Sequence, residues 1–173
     1  GRTQTLRLLL DGTSASELCR QEIEAGAAPE AGARPATNPR PRKWIEVDLS
    51  RQVLTAWEGD EAVRQILVST GTALHPTVTG EFQVYYKTRS MDMRGADYFL
   101  PGVPNVMLFF EGYALHGAYW HFSFGTPISH GCVNMTIPDS AWLFEWASPR
   151  LAEDEWAVFS TVCNPGTLVV VHH

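Results

Sequence analysis

Residues 44–57 read Trp-Ile-Glu-Val-Asp-Leu-Ser-Arg-Gln-Val-Leu-Thr-Ala-Trp, and their first half alternates apolar with polar side chains. The apolar positions recur with a period of two: Ile45, Val47 and Leu49. This period is typical of a strand with one buried face. Ser50-Arg51 interrupts the pattern before a second strand-like run at residues 52–57, so the stretch predicts a β-hairpin.

Strand signals continue along the rest of the chain. Runs rich in β-branched and aromatic residues predict further strands at 62–69, 81–88, 106–110, 113–115 and 167–171. One helix is predicted from Pro138 to Ala147, because proline is favoured in a first helical turn. Residues 87–104 show no clear period and predict a long irregular segment of the kind that forms lids or binding loops. The sum is a mainly β fold with one or two helices.

Composition divides the chain into three parts. Residues 25–43 are rich in Ala, Gly and Pro, with prolines at 29, 35, 39 and 41, and predict a linker. Residues 1–24 precede it as an N-terminal appendage of unknown role. Residues 44–173 are left as the main folded domain.

The overall composition is that of a globular protein and excludes several classes of function. Of 173 residues, 45% are hydrophobic and 18% are charged. The net charge is −6 and the basic cluster at 40–43 lies among prolines, so nucleic acid is not an expected partner. The longest apolar runs, such as residues 168–171, are too short to span a bilayer. Because the chain begins with Gly1 rather than Met, we interpret it as processed or trimmed.

Reactive chemistry is concentrated at Cys132, which closes a Ser-His-Gly-Cys run at residues 129–132. A second histidine, His116, lies upstream and is followed by Gly117. The nucleophilic form of cysteine is the thiolate, and an imidazole is suited to accept the proton that the thiol gives up. These residue types together predict covalent catalysis by sulfur.

The chain contains three cysteines, so one is left over if two of them pair. With Cys132 as the free nucleophile, Cys19 and Cys163 are the candidates for a disulfide, which suits an oxidising compartment. The alternative is that both are buried, reduced cysteines that act as small hydrophobic side chains. The sequence leaves both interpretations open.

With these motifs the chain resembles the L,D-transpeptidase catalytic domain of bacterial cell walls, the YkuD-type domain. The resemblance runs from about Trp44 to Val171, and its strongest part is His116-Gly117, a spacer, and FGTPISHGCVNM at 124–135. Ser-Thr-Gly at 69–71 and Thr-Val-Thr-Gly-Glu-Phe at 77–82 resemble weaker family motifs, with valine where proline is usual. The resemblance implies an L,D-transpeptidase-like β-sandwich or barrel for the predicted catalytic domain, residues 44–173.

The function that the resemblance implies is acyl transfer in peptidoglycan. Cys132 is then expected to form a thioester with a stem tetrapeptide, to release D-alanine and to pass the acyl group to an amine. The implied partners are peptidoglycan stem peptides, with a carbapenem β-lactam as a covalent inhibitor. No cofactor and no metal is expected. The implied location is extracytoplasmic, in the periplasm or the cell wall.

The resemblance makes His116 the proton acceptor, with the Gly117 carbonyl orienting its second ring nitrogen. Further residues are expected to bind substrate or stabilise the oxyanion: His130, Gly131, Tyr98, Asn134, Ser129 and Trp120. The backbone N–H groups of Gly131 and Cys132 are the expected oxyanion donors. A side chain at position 131 is expected to crowd the incoming carbonyl.

Several of these residues have a second interpretation. His116 fits a buried structural histidine, and His130 is a rival for the role of base. The Tyr98 ring fits a packing role in a lid, and the Ser129 hydroxyl fits the stabilisation of its own loop. Trp120 and the neighbouring His121 are expected to line the acyl pocket, although aromatic packing at the surface also explains them.

Three other functions are compatible with the sequence. His116, His130 and Cys132 are possible zinc ligands, but no Cys-x-x-Cys or His-Glu-x-x-His motif accompanies them. Water in place of the amine acceptor gives an L,D-carboxypeptidase or a stem amidase. The third function is that of a non-catalytic wall-binding module. The Cys and His pair argues against it, because binding alone needs no nucleophile.

Overall fold

The computed structural model describes residues 41–173. The predicted appendage 1–24, with Cys19, and residues 25–40 of the predicted linker lie outside the described residues. The elements in chain order are β1 (Lys43–Asp48), β2 (Val53–Glu58), β3 (Glu61–Leu67), β4 (Gly80–Gln83), β5 (Tyr86–Arg94), β6 (Phe99–Phe110), β7 (Tyr113–Gly117), β8 (Val133–Met135), α1 (Ile137–Trp146), β9 (Ala157–Phe159) and β10 (Leu168–His172).

Two five-stranded sheets make up the domain. The first has the order β3-β2-β1-β10-β4, with β1 and β10 parallel. The predicted hairpin of residues 44–57 is β1–β2, in which Trp44 pairs with Trp57 and their rings stack 5.3 Å apart. The second sheet has the order β8-β7-β6-β5-β9, with β7 and β8 parallel. The predicted mainly β fold is confirmed.

A single apolar cluster joins the two sheets. From the first sheet it includes Ile45 and Val47, the inward residues of the alternating pattern, and both are buried. From the second sheet it includes Met107, Leu115 and Val133. Burial of such side chains contributes about 1.5–3 kcal/mol each, so this cluster fixes how the second sheet sits on the first.

The predicted strand at 81–88 is wrong in one respect, because this segment contributes to both sheets. β4 pairs with β10 in the first sheet, and β5 pairs with β6 in the second. The chain changes sheets at two adjacent residues: the Val84 N–H donates to the Thr167 carbonyl, and the Tyr85 N–H donates to the Leu108 carbonyl. No turn residue marks this crossing in the sequence, because Val84 and Tyr85 are both typical strand residues.

The irregular segment predicted at 87–104 is also wrong. β5 and β6 form one long antiparallel hairpin that continues out to Arg94 and Phe99. The prolines at 101 and 104 obscure the strand pattern, yet the sheet tolerates them. The pairing of β6 with β7 begins only at Met107, so the proline-containing half of β6 has β5 on one side and no second strand among the described residues.

The predicted helix is confirmed, with bounds one residue earlier than expected. Thr136 caps α1, because its Oγ1 accepts a hydrogen bond from the Asp139 N–H at 3.2 Å. At the other end, the buried Lys87 ammonium donates to the carbonyls of Phe144 (2.5 Å) and Ala147 (2.8 Å). Burial lowers the pKa of Lys87 to about 8. Lys87 therefore ties the end of α1 to β5.

Two three-residue strands, β8 and β9, escape prediction because so few residues carry no usable pattern. β8 matters most, since it begins directly after Cys132. α1 has ten residues, and no helix within residues 41–173 has the length and apolar character needed to cross a membrane.

Candidate active site

The loop that carries Cys132 is held by the hydroxyl of Ser129. This Oγ donates to the carbonyl of Cys132 at 2.6 Å and accepts from the N–H of Gly131 at 3.0 Å. The second contact corrects one expectation, because the Gly131 N–H is already bonded and is not available to an oxyanion. The Ser129 hydroxyl thus stabilises its own loop, which is one of the two interpretations that the sequence allowed.

The glycine at position 131 is required by the backbone, for a reason different from the one expected. Its φ is +117°, a region that other residues rarely adopt. A Cβ there would lie 2.6 Å from Cε1 of Tyr113. The ring of Tyr113, not the incoming carbonyl, excludes a side chain.

A second layer of hydrogen bonds, missed in the sequence, supports this loop. Thr77 Oγ1 donates to the Gly131 carbonyl at 2.8 Å and accepts from the Gly71 N–H at 2.8 Å. The Ser129 N–H donates to the Thr70 carbonyl at 3.0 Å. Gly71 and Thr77 belong to the two weaker motifs noted in the sequence, and that was the available signal for this layer.

Gln52 anchors the supporting layer to the first sheet. Its side chain donates to Thr70 Oγ1 at 2.6 Å and accepts from the Thr70 N–H at 2.9 Å. Gln52 is buried and has a φ of +56°, so the turn between β1 and β2 is shaped around this contact. The supporting role of Gln52 is not evident from its neighbours in the sequence, because its partner is 18 residues away.

His116 lies near the end of β7, on a strand that is fixed on both sides. β6 and β8 flank β7, and His116 pairs in register with Asn134 of β8. Nδ1 of His116 lies 3.1 Å from the carbonyl of Gly117, so Nδ1 carries the hydrogen and Nε2 keeps its lone pair. Gly117 packs closely, since a Cβ there would meet Ser140 Oγ at 2.6 Å.

Burial keeps both reactive groups uncharged. It lowers the pKa of His116 to about 4, against the opposite effect of the Gly117 hydrogen bond. It raises the pKa of the Cys132 thiol to about 11, against a weaker effect of a backbone hydrogen bond from Ala114. At neutral pH the resting site therefore holds a thiol and a neutral imidazole, and not a thiolate–imidazolium pair.

The thiol does not hydrogen-bond to His116 in this structure. Sγ of Cys132 lies 3.8 Å from the carbonyl of Gly112, which accepts the S–H. Both Cys132 and His116 nevertheless line one cavity of about 210 Å³. Catalytic contacts often tighten only when substrate binds.

The same cavity brings together most of the predicted site. Seven of its lining residues were predicted: Tyr98, His116, Trp120, Ser129, His130, Cys132 and Asn134. Gly117 and Gly131 do not line it, but their backbone groups hydrogen-bond to His116 and Ser129, which do. Three apolar lining residues were missed because they lie in the supposedly irregular segment or beside the motif: Met93, Leu100 and Ile128.

His130 forms one wall of the cavity and contacts the β5–β6 hairpin. Its ring centroid lies 4.8 Å from that of Tyr98 and 4.6 Å from that of His75. Its Nε2 lies 3.4 Å from Oδ2 of Asp97, an exposed contact. The sequence predicted neither Asp97 nor His75 here. His130 therefore positions the hairpin tip beside Cys132.

Zinc binding has no support from the residues that the structure describes. Within 41–173, no group of three His, Cys, Asp or Glu side chains is placed to hold a metal ion. His116, His130 and Cys132 share a cavity, but they do not form such a group.

Comparison with known proteins identifies the family of this chain. The family model described as the L,D-transpeptidase catalytic domain (YkuD) matches residues 42–171. The chain belongs to this family. The match contains the Ser-His-Gly-Cys motif and His116, and it covers all ten strands apart from the last residue of β10.

Among relatives of this L,D-transpeptidase domain is YciB of Bacillus subtilis strain 168, whose own L,D-transpeptidase assignment is provisional. The two are 26% identical over 121 residues, which is 59% of this chain and 59% of that protein. The chain thus spans less than two thirds of this relative.

Solved L,D-transpeptidases share the fold. LdtMt1, solved in complex with imipenem, has a TM-score of 0.62 and 23% identity, over 76% of this chain and 59% of that one. An Enterococcus faecium L,D-transpeptidase with a cysteine-to-serine mutation has a TM-score of 0.62 and 22% identity, over 77% and 50%. A Mycobacterium smegmatis L,D-transpeptidase has a TM-score of 0.61 and 22% identity, over 76% and 59%.

Proposed function

We propose that the protein is a peptidoglycan L,D-transpeptidase that works through a cysteine thioester. The observation that carries this proposal is a free thiol and a buried, neutral imidazole lining one cavity in a member of this family. A thiol with a pKa of about 11 is a poor nucleophile by itself at neutral pH. The site therefore needs the base that His116 provides.

In the first step, the S–H proton passes to Nε2 of His116 as sulfur attacks the carbonyl that precedes a D-alanine. The tetrahedral intermediate collapses, the C–N bond breaks and the imidazolium gives its proton to the leaving amine. A thioester on Cys132 remains, and D-alanine departs. The Gly117 carbonyl stabilises the transient imidazolium through Nδ1–H, as a carboxylate does in a catalytic triad.

The developing oxyanion needs donors other than the Gly131 N–H. We assign the Cys132 N–H and the hydroxyl of Tyr98 to this role. Burial, with the nearby Cys132 and Asp97, raises the pKa of Tyr98, so the phenol keeps its proton and remains a neutral donor. Tyr98 is carried on the hairpin tip that contacts His130.

The remaining lining residues suit an acyl chain with an apolar part and a peptide backbone. Met93, Leu100 and Trp120 offer apolar surface, and the Trp120 ring lies 5.7 Å from that of His116. Asn134 offers amide groups for main-chain recognition. Ser129 and His130 act by holding the loop and the hairpin in place.

In the second step, an amine of another stem attacks the thioester and gives its proton to His116. The product is the cross-linked peptide, and the thiol is restored. Water in place of the amine gives the carboxypeptidase alternative, which uses the same residues. We further propose an extracytoplasmic location, where peptidoglycan stems are cross-linked; the disulfide at Cys163 supports an oxidising compartment.

The test is incubation of the purified chain with a defined stem tetrapeptide, with and without an acceptor amine, followed by mass analysis. A cross-linked product with acceptor supports the transpeptidase. Tripeptide alone in both reactions supports hydrolysis. Unchanged tetrapeptide with wild type, or equal turnover by Cys132→Ser, contradicts the proposed chemistry.

A further inference from the structure

A second imidazole and a carboxylate lie at the cavity, and the two-step chemistry proposed above gives neither of them a proton to carry. His130 lines the cavity together with Cys132 and His116. Its Nε2 lies 3.4 Å from Oδ2 of Asp97, a residue at the tip of the β5–β6 hairpin. With the Nε2–H donated to this carboxylate, Nδ1 of His130 keeps its lone pair and is a base.

The carboxylate of Asp97 has no lysine or arginine partner among the described residues. Its side chain is 70% exposed, and its one ion pair within 41–173 is the contact with His130. Arg94, three residues earlier, instead lies over the ring of Phe99 at 4.8 Å. A carboxylate without a fixed cation attracts positively charged groups and stabilises a protonated imidazole beside it.

The protons of the second step do not balance on His116 alone. An alkyl amine, with a pKa of about 10.4 like that of lysine, is an ammonium ion at neutral pH, whereas attack on the thioester needs its lone pair. The ammonium therefore loses two protons on its way to an amide N–H. One passes through His116 to sulfur and restores the thiol, and the other is left over. Water is uncharged and loses no proton before it attacks.

Exposure distinguishes the two imidazoles by the protons that each is suited to carry. His116 is 2% exposed, and a proton taken up there returns to sulfur within the same cavity. The His130 side chain is 39% exposed, so a surplus proton passes from it to solvent after each turnover. An imidazolium is also less costly at this solvated position beside a carboxylate than at a buried one.

Aromatic contacts hold the ring of His130 at this place. Its centroid lies 4.8 Å from that of Tyr98 and 4.6 Å from that of His75. The imidazole is thus fixed beside Cys132 by its neighbours, while the carboxylate of Asp97 sets which nitrogen is free.

We infer that His130 and Asp97 together form the acceptor base of this site, which takes the surplus proton of a cationic amine acceptor. The ammonium gives one proton to Nδ1 of His130, and Asp97 stabilises the imidazolium. The neutral amine forms the C–N bond with the thioester carbonyl, and its second proton passes to His116. The C–S bond breaks, sulfur takes that proton, and His130 releases its own to solvent. The inference rests on the proposed function and adds that the site serves a cationic acceptor in preference to water.

The test compares two nucleophiles for the same thioester. The full chain is incubated with stem tetrapeptide and either an alkyl ammonium acceptor or hydroxylamine, and the products are quantified by mass analysis. Hydroxylamine is uncharged at neutral pH and needs no acceptor base. The readout is the ratio of ammonium transfer to hydroxylamine transfer, in which effects on thioester formation or on the shape of the hairpin cancel.

This ratio is expected to fall about tenfold in Asp97→Asn and about 100-fold in His130→Phe, which keeps an aromatic ring beside Tyr98 and His75. Asp60→Asn is the matched control, because it removes the same charge from the exposed β2–β3 turn, away from the cavity lining. Its ratio is expected to equal that of wild type. Asp97→Asn added to His130→Phe is expected to change the ratio by less than about twofold, because Asp97 acts through His130.

Three outcomes overturn the inference. An unchanged ratio in Asp97→Asn or in His130→Phe contradicts the acceptor base. A further tenfold fall in the double variant shows that Asp97 acts on the ammonium directly and not through His130. Absence of any thioester on wild type, by intact mass analysis, overturns the proposed function and this inference with it, so the two failures are told apart.

Discussion

Nε2 of His121 lies 2.9 Å from Nδ2 of Asn134, the residue paired in register with His116. With Nδ2 as donor, Nε2 is the acceptor and Nδ1 of His121 carries the hydrogen. Asn134 is buried, and its Oδ1 and the Nδ1 of His121 have no partner within residues 41–173. His121 was expected to line the acyl pocket; instead it holds Asn134, which does line it.

His121→Gln and His121→Phe separate the two effects of this histidine. Gln keeps an acceptor for Asn134, whereas Phe leaves a buried N–H unpaired and is expected to lower the free energy of unfolding by about 1–3 kcal/mol. Burial is the main cause of the low pKa of His116, and a positive charge on His121 lowers this pKa further. Both variants are therefore expected to move the acid limb of kcat/KM to higher pH. An unmoved limb in both contradicts the electrostatic link.

The pKa of His116 predicts an unusual pH profile. The imidazole must be neutral to accept the thiol proton, and its pKa is about 4 in the folded protein. The value of kcat/KM is expected to hold level from pH 7 down to about pH 5 and to fall about tenfold per unit below pH 4. A fall centred on pH 6.5 in a full profile contradicts a buried, neutral base.

The low pKa of His116 also predicts how the free energy of unfolding depends on pH. Because the folded pKa of about 4 lies below the ordinary value of 6.5, the unfolded chain binds the extra proton between these two pH values. The stabilisation is complete above pH 6.5 and is lost as pH falls to 4, by about 3 kcal/mol. Urea unfolding across this range measures it. His116→Asn, which lacks the ring, is expected to show a shallower slope.

Tyr98→Phe tests the hydroxyl as an oxyanion donor. The variant keeps the ring beside His130 and loses the O–H, so kcat is expected to fall about 100-fold with KM little changed. Tyr119→Phe is the matched control. The Tyr119 hydroxyl donates to the carbonyl of Pro101, a residue of the same hairpin, at 2.6 Å. Tyr119 does not line the cavity. Equal kcat for Tyr98→Phe and wild type would leave the ring with a packing role alone.

Thr77→Val tests the layer behind the nucleophile loop. The substitution keeps the shape but removes the donor to the Gly131 carbonyl and the acceptor for the Gly71 N–H. Unfolding free energy is expected to fall by about 1–3 kcal/mol, and turnover is expected to fall with it. Thr79→Val, at an exposed position, is the control and is expected to stay within about 0.5 kcal/mol of wild type. The two variants unfolding alike would contradict the supporting role.

A carbapenem is expected to acylate the protein once, on Cys132. The strained β-lactam carbonyl offers the thiol the same chemistry as the stem peptide, and the attack opens the ring without a leaving group. Intact mass analysis should show one adduct on wild type and none on Cys132→Ser. Absence of an adduct on folded wild type counts against the thiol chemistry, while an adduct on Cys132→Ser would place the nucleophile elsewhere.

The sequence predicts those strands and helices whose residue pattern is local. The alternation at 45–49 predicts β1, and Pro138 predicts the start of α1. The β5–β6 hairpin is not readable in this way. Its prolines and its glycine at 102 are tolerated only because one edge of outer β6 lies free of β7, which is a property of the assembled sheet. The same holds for the crossing at Val84, where neighbouring residues bond to different sheets.

The sequence by itself determined the chemical groups of the proposed site, which are the Cys132 thiol and the His116 imidazole, and the motifs that identify the family. Those are chemical identities and spacings, and folding does not alter them. Only the tertiary structure decided the protonation state of these groups and the residues that surround them. Burial makes the thiol and the imidazole neutral, the hydroxyl of Ser129 takes up the Gly131 N–H, and the hairpin brings Tyr98 to the site. Desolvation and contacts between distant residues arise only when the sheets pack, because they depend on neighbours that no local pattern specifies.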